Sequence, residues 1–112
     1  MNGVQREIWL VPFPFSDFSG RKVRPVLILS KDKFNHASQD LIVCGITSNL
    51  SKDYYAVHFS KKDLEEGSIM ETSCIKAENL LRIDKRILIK KIGKVKKEML
   101  SSVLKKVEEI FQ

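Results

Sequence analysis

Up to Val95 the apolar residues come in short runs or in period-two alternation, and from Lys96 the period changes to three and four. Met99, Leu100, Val103, Leu104, Val107, Ile110 and Phe111 then recur as one stripe, which predicts a single amphipathic helix over about 96–111. The earlier runs predict about six strands: Arg6–Phe15, Val23–Ser30, Asp40–Thr47, Tyr55–Ser60, Ser73–Ile83 and Ile87–Val95. Helices do not alternate with them, so a parallel sheet with helical crossovers is not expected. A small closed or nearly closed antiparallel β-barrel is, because closure protects the edges that short strands expose.

The first strand carries apolar residues on both alternations, with Ile8 and Leu10 on one and Trp9, Val11, Phe13 and Phe15 on the other, which suits packing on two sides. Pro12 and Pro14 cannot donate to a ladder, so its end should lie at a sheet edge or peel into a loop. Val23–Ser30 is almost wholly apolar and reads as a central strand. Lys31–Gln39 predicts a brief turn or 3₁₀ segment, and Lys61–Gly67 a helical turn stopped by its glycine. Gly45, near the end of the third strand, marks a bulge or a close backbone approach.

With 112 residues, 43% apolar and 30% charged, the chain is of a size and composition for one globular domain, 1–112. The first residues lack the order of a signal peptide and no apolar run approaches a membrane span, so a soluble cytoplasmic protein is expected. Cys44 and Cys74 stand thirty residues apart in apolar segments and read as buried free thiols. The net charge of +6 is local: up to Asp84 eleven Lys or Arg face eleven acids, and from Lys85 nine face three. Such a face can attract RNA or an acidic protein segment, or simply solvate a helix.

The stretch from Val11 to Pro25 is where chemistry is most concentrated. It passes from an aromatic strand through Ser16-Asp17-Phe18-Ser19-Gly20 and returns with Arg21, Lys22 and Arg24 gathered before Pro25. Guanidinium and ammonium groups on a loop suit a polyanion, Arg by bidentate contact with phosphate; the same residues also suit a solvated hairpin turn. Thr47, Ser48 and Asn49 place three hydrogen-bonding side chains at a strand end, as a substrate contact or an ordinary polar cap. His36 and His58 invite an acid and base pair, but nothing in their spacing brings them together. The acids are scattered and no His-x-x-x-His occurs, so no metal or other cofactor is expected.

The strand ending in Pro-Phe, the Ser-Asp-x-Ser-Gly loop and the Lys-x-Arg-Pro opening of a Val-Leu-Ile-Leu-Ser strand resemble the start of the PemK/MazF family of toxin endoribonucleases. The resemblance continues in Ser30-Lys31-Asp32-Lys33-Phe34-Asn35 and in Ile42-Val43-Cys44-Gly45-Ile46-Thr47-Ser48, in order and at family-like spacing. It implies an SH3-like barrel, a homodimer, and a growth-inhibiting toxin restrained by a cognate antitoxin whose flexible segment enters the RNA groove. It implies metal-independent, sequence-selective cleavage of single-stranded RNA such as mRNA, leaving 2′,3′-cyclic phosphate and 5′-hydroxyl ends. Arg24 and Thr47 match the family's catalytic positions. Ser19, Arg21, Lys22, Ser48, Asn49, Lys76 and Arg82 are the candidates for RNA contact.

The chain departs from the better-known bacterial branch at Asn79-Leu80-Leu81-Arg82-Ile83-Asp84, where a Gln-x-Arg-Thr-Ile-Asp pattern would put arginine in place of Leu81. Alternation sets Arg82 on the opposite face. Two other readings share the barrel. A gyrase-poisoning toxin acts by protein contact and relies on a Trp-Gly-Ile carboxyl terminus, whereas this chain ends Ile110-Phe111-Gln112. A non-catalytic RNA-binding barrel would stack bases on exposed aromatics, a role that Trp9, Phe13 and Phe15 fill less well than core packing.

Overall fold

A computed structural model describes residues 3–13, 22–50 and 52–112. Among these residues seven strands form one antiparallel sheet: β1 Glu7–Phe13, β2 Lys22–Ile28, β3 Asp40–Thr47, β4 Ala56–Phe59, β5 Leu64–Gly67, β6 Ser73–Asp84 and β7 Lys90–Val95. Two helices among the described residues join them: α1 Asp32–Ala37 after β2, α-helical where a turn or 3₁₀ segment was expected, and α2 Lys97–Ile110 at the end. The strand order is β4-β6-β3-β2-β1-β7-β5, which puts the apolar β2 at the centre. The two outermost strands, β4 and β5, are linked only by Ser60 and the 3₁₀ turn Lys61–Asp63, so the sheet must curl to bring its edges together. The result is a half-barrel.

Period two decides what each face buries. Ile8, Leu27, Cys44, Ile46, Ile75 and Val95 point to the concave side, where Leu100 and Val103 of α2 pack on them. Trp9, Val11, Val26, Ile28, Leu41, Val43, Ile83 and Ile87 form a second cluster on the other side. Strand β1 is thus packed on both sides. It meets β7 only up to Leu10 but β2 as far as Phe13, so Pro12 falls where one flank carries no ladder.

Three further expectations are corrected. Leu64–Gly67 is a strand, not the end of a helical turn. A capping box between Ser60 and Asp63 holds the 3₁₀ turn, Leu64 is already extended, and the two acids that follow pair with distant cations. Glu65 reaches Arg6 at 3.0 Å and Glu66 reaches Lys91 at 2.8 Å. Gly67 has φ +81° and lies against the backbone of Ile92 and Gly93, where no Cβ would fit. The strand expected at Ile87–Val95 begins only at Lys90, because Lys85–Ile87 forms a 3₁₀ turn capped by the Asp84 carboxylate. On α2, Leu104 and Phe111 are exposed; Leu100 and Val103 carry the burial, with Met99, Val107 and Ile110 at its margin.

Cys44 and Cys74 are buried and form no disulfide, and burial pushes the Cys44 thiol far above its ordinary range. Among the described residues no helix is long and apolar enough to cross a membrane.

Candidate functional site

The site begins with a missing hydrogen bond. Leu29 donates its N–H to the Ile42 carbonyl at 2.9 Å, so by alternation Leu27 and then Pro25 aim the same way, toward β3. Pro25 has no N–H to offer, and the β2–β3 ladder ends at the pair Val26 and Gly45. On its other flank β2 stays paired to β1 down to Lys22. The two strands therefore part beyond Pro25 and leave a cleft of about 390 Å³, lined by Arg24, Pro25, Gly45, Ile46, Thr47, Ser48, Ser73 and Asn79.

Arg24 and Thr47 come level with each other by register and both line this cleft. Each lies two residues past the Val26–Gly45 pair, on the same face of its strand. Arg24 is exposed. The Thr47 hydroxyl oxygen accepts the Asn49 N–H at 3.1 Å, which turns the chain out of β3 and leaves the O–H hydrogen to donate elsewhere. A second cleft of about 480 Å³ adjoins the first, lined by Thr47, Asn49, Leu50, Lys76 and Asn79. Lys76 Nζ lies 3.1 Å from the Glu78 carboxylate, which tempers its charge without burying it.

The fold thus gathers Arg24, Thr47, Ser48, Asn49 and Lys76. Lys22, two residues before Arg24 on β2, is exposed on the same face. Ser19 and Arg21 lie outside the described residues. Arg82 is not brought to this group: it pairs with Ile42, whose side chain belongs to the concave side of the sheet, and its guanidinium binds Asp40 at 2.7 Å and lies 6.0 Å from the Phe34 ring. The histidines do not meet either. His58 pairs with Cys74, opposite Thr47, whereas His36 lies in the last turn of α1 beyond the other end of β3, roughly 20 Å away along the strand. Among the described residues no three His, Cys, Asp or Glu side chains come together.

Asn79, which borders both clefts, was not among the candidates. The signal for it was Gly45: β6 bulges opposite that glycine, and the Asn79 amide occupies the space a Cβ there would need.

Comparison with known proteins agrees with this architecture. Residues 4–111 match the family of PemK-like, MazF-like toxins of type II toxin-antitoxin systems. The fold is similar to that of an endoribonuclease from a mycobacterial species in complex with its cognate antitoxin, with TM-score 0.80 and 14% identity over 98% of this chain and 95% of that one. It is also similar to MazF in a MazE–MazF crystal structure from Deinococcus radiodurans, with TM-score 0.77 and 17% identity over 99% and 96%. The Mycobacterium tuberculosis toxin MazF-mt6 gives TM-score 0.75 and 20% identity over 95% and 96%. No curated protein sequence matches the chain.

Proposed function

Because the chain belongs to the PemK-like, MazF-like toxins of type II toxin-antitoxin systems, we propose that it is a sequence-selective, metal-independent endoribonuclease acting at the cleft between Arg24 and Thr47. The observation that supports this reading is that one proline ends the ladder between two strands and that Arg24 and Thr47, level with each other in register, both line the gap. The substrate is single-stranded RNA, mRNA included.

The chemistry follows from what those groups can do. The 2′-hydroxyl oxygen of a ribose attacks the adjacent phosphorus and gives up its proton. The P–O5′ bond breaks, and the departing oxygen takes a proton, leaving 2′,3′-cyclic phosphate and 5′-hydroxyl ends. Negative charge builds on the non-bridging oxygens as the phosphorus becomes five-coordinate. Arg24 stays protonated, so it stabilises that charge rather than moving a proton. Thr47 adds a hydrogen bond to the same phosphate from the opposite strand. Ser48, Asn49, Lys76 and Lys22 line the path of the flanking nucleotides, Lys22 and Lys76 by phosphate neutralisation.

The cleft is open to a protein segment as well. A cognate antitoxin that carries acidic or amphipathic residues would occupy it in place of RNA, and two copies of this chain would form the working unit. Incubation of a long mixed-sequence RNA with the purified protein in excess EDTA should give discrete cuts bearing cyclic phosphate ends. Intact RNA from folded protein, or simultaneous binding of antitoxin and RNA, would count against the respective parts of this account. Light scattering at micromolar concentration should return the mass of a dimer, and a monomer would remove the pairing.

A further inference from the structure

Strand β6 leaves the register of β3 for three residues. Cys44 pairs with Leu80 but Gly45 pairs with Lys76, so Ala77, Glu78 and Asn79 have no partner on β3. Bulges re-aim side chains, and each of these three goes a different way. Ala77 is buried in the concave core and donates its N–H to the Tyr55 carbonyl at 3.2 Å. Glu78 pairs with Lys76. Asn79 folds back over Gly45, where an added Cβ would run into its amide nitrogen and lie 3.3 Å from its Cγ.

That fold places the amide on the line between the two clefts, which among the described residues share Thr47 and Asn79. The side chain is exposed, and among the described residues its amide finds no hydrogen-bond partner. A group serving phosphate alone would be a cation or a hydroxyl, and those are already present in Arg24, Lys76 and Thr47. A carboxamide instead offers one donor and one acceptor side by side, the complement of a nucleobase edge.

We propose that Asn79 is a specificity-determining residue: its carboxamide, seated by the absence of a side chain at Gly45, reads the edge of a base flanking the phosphate held by Arg24 and Thr47. This rests on the ribonuclease reading of the cleft. Gly45 is then a positioning residue, acting through Asn79.

The test compares wild type, Asn79→Ala, Asn79→Ser, Gly45→Ala and the Gly45→Ala/Asn79→Ala double variant. The substrates are oligonucleotides carrying the preferred cut site and every single-base change on either side of it. Asn79→Ala and Asn79→Ser should each lose on the order of ten- to a hundredfold of discrimination at one flanking position, the worth of one good base contact. Discrimination elsewhere should persist. Gly45→Ala should relax the same position and add nothing once Asn79 is alanine. If wild type cuts and the Asn79 variants cut with unchanged preference, this inference falls while the ribonuclease reading stands. If wild type cuts nothing, both fall together.

Discussion

Arg24 and Thr47 stand at the same level of neighbouring strands, each two residues past the paired Val26 and Gly45, with Pro25 marking where the strands part. The relationship depends on three separate features of the sequence. The apolar run of β2 fixes which residues face which side, Pro25 withholds the N–H that would have continued the ladder, and the polar end of β3 supplies the hydroxyl. None of the three implies the others, yet only together do they make a cleft.

Pro25→Ala should close it in part. An alanine N–H would aim at the Ile46 carbonyl and could extend the β2–β3 ladder by one bond. We expect cleavage to fall on the order of a hundredfold from misplacement of Arg24, with the denaturation midpoint unchanged or higher. Loss of stability together with activity would mean that the proline acts by rigidity and not by opening the cleft.

Glu7 is a buried carboxylate, 7% exposed, held by Trp9 Nε1 at 2.9 Å, the Val4 N–H at 3.0 Å and Lys91 Nζ at 3.1 Å. Glu7→Gln keeps the shape but removes the charge that these donors complement. Urea unfolding should show a loss of about 1–3 kcal/mol, and RNA cleavage should be unaffected because the group lies away from the cleft.

Acid should unfold the protein through Glu7 and Asp84. Burial acts to raise the Glu7 pKa, but the Trp9, Val4 and Lys91 contacts outweigh it and hold it below the ordinary carboxylate range. Hydrogen bonds from the Arg86 side chain and backbone bring Asp84 down to about 2. Both groups bind protons more weakly when folded, so their contribution is full above the unfolded pKa of about 4 and fades as pH falls toward 2. Urea midpoints measured from pH 6 to 2 should decline through that window. Glu7→Gln and Asp84→Asn should each flatten the decline, and a midpoint that rose on acidification would contradict the assignment.

How much of this was legible in the sequence varies by residue. Strand β3 ran from Asp40 to Thr47 as read, because an apolar run bracketed by polar residues has few alternatives, and the period change at Lys96 located α2. Gly45 betrayed its bulge. Leu64–Gly67 did not read as a strand, since its acids find their partners on Arg6 and Lys91, far away in sequence. Arg82 could be placed on its face by alternation, but its engagement with Asp40 is a product of strand pairing and had no local signal. The same holds for Asn79, whose place depends on a register shift of three residues.

Asn35 shows a motif residue whose work is structural. Fully buried, it accepts the Ser30 hydroxyl at 2.5 Å and donates to the Ser30 carbonyl at 2.8 Å, while its own carbonyl accepts from Lys85 Nζ. Asn35→Ala would leave the Ser30 carbonyl and hydroxyl short of partners. A cost of about 1–3 kcal/mol is expected in thermal or urea unfolding, with the cut motif unchanged. A change in motif at full stability would move Asn35 into the substrate path.

The central claim is that Arg24 and Thr47 act on one phosphate. Single-turnover cleavage of one defined oligonucleotide by wild type, Arg24→Ala, Thr47→Val and the double variant tests it most directly. The account predicts a loss on the order of 10²–10³ for Arg24→Ala, a smaller one for Thr47→Val, and a double variant less impaired than the product of the two. Cleavage by Arg24→Ala at the wild-type rate, with the same ends, would contradict it.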